Sequence, residues 1–225
     1  PPRSTLFPYT TLFRSPILDI AARCWDDDRY AAFKVCYRSM RIIDDLVDNQ
    51  KSTGRTLTSD EQNFFASLID DWINSMRRKR PTDAFQETLL ETLERFRLPL
   101  WPWEKLADAM TYDLYHTGFA TFRTFRRYTE GAAIAPAAVF MHLCGIRAEQ
   151  DSYSPPPFNI RAASKDLALF SYLVHIMRDF QKDQADHLNY FALDLMMQEG
   201  AALDDLQRAG RGEVSRPVQI GRAHV

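Results

Sequence analysis

The chain is short of the residues that build stapled or metal-clipped folds, with three cysteines and eight glycines among its 225 residues. Cys24, Cys36 and Cys144 are odd in number and show no C-x-x-C spacing, which argues against a disulfide framework and fits a reduced, cytoplasmic setting. There is no Gly-rich phosphate loop and no Gly-x-Ser-x-Gly elbow, so neither P-loop nor α/β-hydrolase chemistry is indicated. His116, His142, His175 and His187 are not spaced as a metal motif and read as hydrogen-bonded core or surface residues. Long apolar runs are missing as well, since every candidate is broken by Arg, Asp, His or Glu before the roughly 18 to 20 residues that a membrane span needs. The expectation is a soluble chain with at most peripheral contact with a membrane surface.

Both ends read as something other than protein. Residues 1–15, PPRSTLFPYTTLFRS, and residues 220–225, IGRAHV, back-translate to sequencing-adapter DNA, which leaves 16–219 as the native segment, incomplete at both ends. Leaving out Arg3, Arg14 and Arg222 takes the 28 basic residues to 25 against 30 acidic ones, a net charge of −5. A domain that neutralises many phosphates normally carries a basic excess, so no nucleic-acid partner is expected. The run Arg77–Arg80 reads as a helix end that complements the dipole, with anionic lipid as its other use.

Strand alternation and Asn-Gly hairpin signals are absent, and nearly every segment repeats with helical spacing. The spacing predicts helices over Asp28–Gln50, from Ser59 to the basic end at Arg77–Arg80, and over Asp83–Leu98. It predicts others from Pro102 to His116, over Phe122–Leu143 with breaks at Gly131 and Pro136, and over Ala163–Leu188, Tyr190–Gln198 and Leu203–Ala209. A turn is expected at Lys51–Gly54, and a Ser59-x-x-Gln62 capping box at the start of the second helix. About 200 residues with 45% hydrophobic composition can bury one core, so the reading is one all-α domain.

Two aspartate clusters stand out on the longest of these helices: Asp44-Asp45-Leu46-Val47-Asp48, and Asp179-Phe180-Gln181-Lys182-Asp183. At about 3.6 residues per turn, Asp44 and Asp48 project roughly 40° apart, as do Asp179 and Asp183. Either cluster alone is what a solvated helix face shows, with Ile42, Ile43, Leu46 and Val47 opposing the first, and Leu173, Val174, Ile176, Met177 and Phe180 the second. Together they offer two carboxylate pairs, each beside cations that can reach phosphate oxygens: Arg41 at the first, Arg178 and Lys182 at the second. Facing pairs would form an oxygen-rich pocket suited to Mg²⁺ and a diphosphate.

The segment Tyr37-x-x-x-Arg41-x-x-Asp44-Asp45-x-x-Asp48 resembles the first motif of the squalene and phytoene synthases, which join two prenyl diphosphates head to head. Arg178-Asp179-x-x-x-Asp183 is similar to their second motif, and Met110-x-x-Asp113-Leu114 to a segment between the two. The chain departs from the family at Tyr128-Thr129-Glu130-Gly131-Ala132-Ala133, where a Tyr-Cys segment would run into Val-Ala-Gly. It departs again at His187–Ala192, which keeps Tyr190 but not the neighbouring Arg and Pro.

The resemblance implies a helical bundle of the isoprenoid synthase type around a central apolar cavity, with Asp44, Asp45, Asp48, Asp179 and Asp183 as Mg²⁺ ligands. Asp44, Asp48, Asp179 and Asp183 would be catalytic, while Tyr37, Arg41, Asp113, Arg178, Lys182 and Tyr190 would bind substrate. Ala132–Phe140, Phe119 and Phe122 would either wall the cavity or serve as plain core packing. Farnesyl or geranylgeranyl diphosphate would be the substrate and squalene, phytoene or a relative the product, with NADPH needed if the product is squalene. A chain-elongating prenyl synthase, a terpene cyclase and a non-catalytic scaffold protein are the competing readings, and the oligomeric state is left open.

Overall fold

The computed structural model of the chain describes residues 16–51, 56–150, 152–186 and 188–213. Segments 1–15 and 220–225, most of the Lys51–Gly54 turn and His187 lie outside the described residues. The helical spacing is realised as α1 (Pro16–Ala22), α2 (Asp27–Lys51), α3 (Ser59–Arg77), α4 (Ala84–Arg95) and α5 (Trp101–Tyr115). Then come α6 (Phe122–Thr129), a π-helical turn (Glu130–Ile134), α7 (Ala135–Gly145), α8 (Ile160–Ala185), α9 (Leu193–Gln198) and α10 (Leu203–Gly210). Among the described residues, strand structure is confined to a hairpin of β1 (Arg147–Ala148) and β2 (Tyr153–Ser154), too short to leave an alternating pattern in the sequence.

Side-chain caps decide where several helices begin. Asp83 accepts from the Gln86 N–H at 2.7 Å, so it stands outside α4 instead of opening it. Asn159 accepts from the Ala162 N–H at 3.0 Å and starts α8 three residues ahead of the expected Ala163. The capping box of α3 is Thr58 with Glu61, one residue earlier than the expected Ser59 and Gln62. The Glu61 carboxylate accepts from the Thr58 N–H at 2.9 Å, a stronger acceptor than an amide. Freed from capping, Gln62 donates to the Leu114 carbonyl of α5 at 2.9 Å. α3 and α4 both end in a left-handed residue, Lys79 and Arg97, with six-to-one bonds from the Arg80 N–H to the Ser75 carbonyl and from the Leu98 N–H to the Leu93 carbonyl.

α5 runs through the middle of the fold and touches α2, α3, α6, α7 and the π turn. Trp103, fully buried on it, donates its indole N–H to the Ser39 hydroxyl of α2 at 2.9 Å, which fixes the register of these two helices. Gly131 in the π turn lies so close to α5 that a Cβ there would overlap the Lys105 carbonyl and come within 2.6 Å of the Ala109 methyl. Pro136, just beyond, has no N–H to return to Ala132, and the wider π turn absorbs that break.

α8 is turned the opposite way from an ordinary amphipathic helix. Of the five apolar residues expected to oppose the aspartates, Leu173, Val174 and Met177 are exposed, Met177 to 67%, as are Leu167 and Phe170 nearby, whereas Ile176 is buried and Phe180 half-buried. The face carrying Tyr172, Ile176, Asp179 and Asp183 is turned towards the bundle, with Ile176 buried among these polar residues. An acidic face that is half-buried beside an apolar one left exposed is the reverse of what hydrophobic free energy alone would select.

Gly131→Ala is expected to cost about 1–3 kcal/mol by overpacking. Gly118→Ala, whose added carbon would meet its nearest neighbour at an ordinary 3.4 Å, should stay within about 0.5 kcal/mol. Thermal unfolding followed by circular dichroism checks both, and equal midpoints for the two variants would remove the π turn's close approach from the account.

Candidate active site

On α2 the sequence Tyr37, Arg41, Asp44, Asp48 climbs one helix face, one side chain per turn. Ligand oxygens of Asp44, Asp45 and Asp48 all lie within 4.8 Å of one another, and all three side chains are half-buried. Arg41 bridges two of them, donating from one guanidinium nitrogen to Asp44 and from the other to Asp45. Below them the face becomes apolar, where Phe33 packs 5.7 Å from the Tyr37 ring and edge-on to Phe140 of α7 at 5.8 Å.

On α8 the second pair is treated unequally. Arg178 grips its neighbour Asp179 with two bonds of 2.8 and 2.7 Å, which holds that carboxyl below the usual range. Asp183 has no such grip; burial, and after it the charge of Asp179, pushes its carboxyl above the usual range, with Lys182 opposing. Lys182 itself is exposed beside the pair.

The two helices meet at Tyr190. Its segment was expected to be helical but runs extended, because the Leu193 N–H donates to the Phe119 carbonyl at 2.9 Å and Ala192 bridges to Phe119. Asn189 fastens the turn from within, accepting from the Phe191 N–H at 3.0 Å. Held there, the Tyr190 hydroxyl is raised by burial and then by four carboxylates: Asp113 of α5, Asp183 of α8, and Asp48 and Asp44 of α2. Asp44, Asp48, Asp113 and Asp183, from three helices, thus all bear electrostatically on one tyrosine. Asp45 turns aside to Arg41, and Asp179 lies at the more exposed rim with Arg178.

Beneath the carboxylates lies a floor of tyrosines. Tyr128 donates to Asp113 at 2.8 Å, and its own hydroxyl is held well above the usual range, first by burial. Tyr172 shares a hydrogen bond with Tyr128 and stands perpendicular to Tyr190 at 6.2 Å. Phe119 packs against Tyr128 at 5.0 Å. The sequence reading did not pick out Tyr172, although the signal was there: it precedes Asp179 by seven residues and so continues the Asp183–Asp179 stripe.

Of the expected walls, Phe119, Ile134 and Val139 are buried, whereas Phe122 is 39% exposed and lines an outer groove instead. His142 is buried and bonded to the Phe96 carbonyl at 2.8 Å, and His116 stacks on Tyr112 at 3.9 Å. Neither histidine belongs to the carboxylate cluster.

The all-α bundle thus brings carboxylates of α2, α5 and α8 and the Arg41 guanidinium together beside an aromatic cluster. The sequence matches the squalene/phytoene synthase family over residues 20–221, and the chain belongs to that family. It is 23% identical to phytoene synthase 2, chloroplastic, of Zea mays over 184 residues, covering 80% of this chain and 43% of that protein. It is 24% identical to phytoene synthase 2, chloroplastic, of Solanum lycopersicum, covering 80% and 55%. The chain thus spans about half the length of the curated relatives it matches. The fold is that of squalene synthase HpnC from Alicyclobacillus acidocaldarius, with a TM-score of 0.70 at 18% identity, over 94% of this chain and 72% of that one. No helix among the described residues is long and apolar enough to cross a membrane.

The raised Asp183 carboxyl has a consequence for stability. As pH rises, the unfolded chain releases this proton first, at the ordinary aspartate value, so ionisation favours unfolding from there upwards. Asp183→Asn is therefore expected to raise the melting temperature at pH 7 in EDTA, with the gain vanishing below the ordinary aspartate range. A gain that is the same at every pH would show that ionisation is not its cause.

Proposed function

We propose that the chain belongs to an enzyme that condenses two prenyl diphosphates head to head, farnesyl or geranylgeranyl diphosphate, to squalene, phytoene or a relative. The observation that carries this reading is that Asp44, Asp48, Asp113 and Asp183, from three helices, all act on the Tyr190 hydroxyl, with Tyr128 of the aromatic cluster bonded to Asp113. An allylic diphosphate has the same two parts, a multiply charged head and an apolar tail that becomes a carbocation once the head departs.

The donor set fits hard divalent cations, because the α2 carboxylates already lie within 4.8 Å of one another and all donors are oxygen. Mg²⁺ held by Asp44, Asp45, Asp48, Asp179 and Asp183 would neutralise the diphosphate as its charge grows. The chain's own residues do the rest. Arg41 and Arg178, now satisfied by aspartates, are the groups free to turn to phosphate oxygens once those aspartates bind metal, with Lys182 beside them and Tyr37 on the same face as Arg41. Tyr190, Tyr172, Tyr128 and Phe119 pack as one aromatic cluster beside the carboxylates, where they would exclude water and favour a passing cation. Tyr128 keeps its proton firmly, so in this role it donates to Asp113 and does not act as a base at neutral pH.

In this reading the domain is 16–219, the working setting is cytoplasmic with peripheral contact at a membrane surface, and NADPH is a co-substrate only for a squalene product. The test uses the full-length polypeptide of the natural gene with Mg²⁺ and each diphosphate, with and without NADPH, and mass spectrometry of the hydrocarbons. A C30 or C40 product is expected, falling at least about 10²-fold on Asp44→Ala or Asp179→Ala. Absence of both turnover and diphosphate binding would favour the scaffold reading, and a cyclic or merely elongated product one of the other synthase classes.

A further inference from the structure

On the outside of the bundle, α5, α6 and the first turn of α8 enclose an open groove of about 930 Å³. Its floor is apolar and aromatic, formed by Trp101, Ala109, Tyr112, Phe122 and Tyr128. Two cations at its edge are already neutralised, Lys105 by Asp108 at 2.8 Å and Arg161 by a two-bond pair with Glu130 at 2.7 and 2.9 Å. Three others are not. Arg123, Arg126 and Arg127 are exposed, and none makes an ion pair or hydrogen bond through its side chain with a described residue.

Their spacing sharpens the point. At i, i+3 and i+4, the three guanidinium groups share one face of an eight-residue helix, the face that lines the groove. Like charges so placed repel and weaken a short helix. Buried Phe125 and Tyr128 anchor α6 to the bundle, which holds the cations at the groove despite the repulsion. A cavity of this size, apolar below and triply positive above, matches one ligand chemistry: an apolar chain with a phosphate or diphosphate head.

We propose that this groove is a second binding site, separate from the carboxylates, for the phosphate end of an amphipathic anion of the prenyl diphosphate or phospholipid class. It needs no metal, because the guanidinium groups supply the positive charge themselves. It meets the carboxylate site at Tyr128, and it stands whether or not the chain catalyses head-to-head condensation.

The test is equilibrium binding of farnesyl diphosphate to the protein in EDTA, for the wild type, the triple variant Arg123→Gln/Arg126→Gln/Arg127→Gln, and Asp44→Ala/Asp183→Ala. Sedimentation with vesicles of phosphatidylcholine, with or without phosphatidylglycerol, runs alongside. Metal-free binding that weakens at least tenfold in the arginine variant and is unchanged in the aspartate variant is the expected result, and identifies a soluble prenyl diphosphate as the ligand. Arginine-dependent retention on phosphatidylglycerol vesicles alone identifies a lipid headgroup and equally supports the site. Binding that survives loss of the arginines, that disappears with the aspartates, or that is absent from both assays would overturn it. The circular dichroism spectrum of the arginine variant serves as the folding control, since all three side chains are exposed.

Discussion

Repulsion among gathered carboxylates is the constraint around which the rest of this structure is arranged. Asp44 and Asp48, Asp113 and Asp183 act together on Tyr190 from α2, α5 and α8, and burial there disfavours the charge of Asp183. The chain meets the cost locally. Arg41 spans two acids on α2, Arg178 closes on Asp179, and Tyr128 donates to Asp113. Asp183 carries its charge in a setting that resists it.

Holding such a cluster requires rigid elements, and the packing supplies them. The Trp103–Ser39 bond sets α5 against α2, and the close approach of Gly131 to Lys105 sets the π turn against α5. The bridge between Phe119 and Ala192 fixes the segment that carries Tyr190. Each is a contact between residues distant in sequence, and each positions one side of the carboxylate site or its aromatic floor. The inverted α8 follows from the same demand: with its acidic face claimed by the site, its apolar residues are left outside.

Much of this was legible in the sequence. The spacing of Asp44 with Asp48 and of Asp179 with Asp183 gave two helix faces, and Pro102, Gly131 and Pro136 marked the start of α5 and the break before α7. Helix ends were less legible, because Asp83, Asn159 and Thr58 act through side-chain bonds that compete with neighbouring candidates. The orientation of α8 could not be read from its pattern, since an amphipathic stripe says which residues differ and not which side meets the bundle. Nor could the extended run through Tyr190, whose partners near Phe119 lie some seventy residues earlier.

The central claim is that α2 and α8 present a single site and not two separate acidic faces. A double-mutant cycle on Mn²⁺ binding in the presence of inorganic diphosphate measures this directly, using wild type, Asp48→Asn, Asp183→Asn and the double variant. If both helices hold the same ions and diphosphate, the losses will be non-additive, with a coupling of about 0.5–3 kcal/mol. Losses that simply add, within about 0.3–0.5 kcal/mol, would show two independent sites and contradict the account.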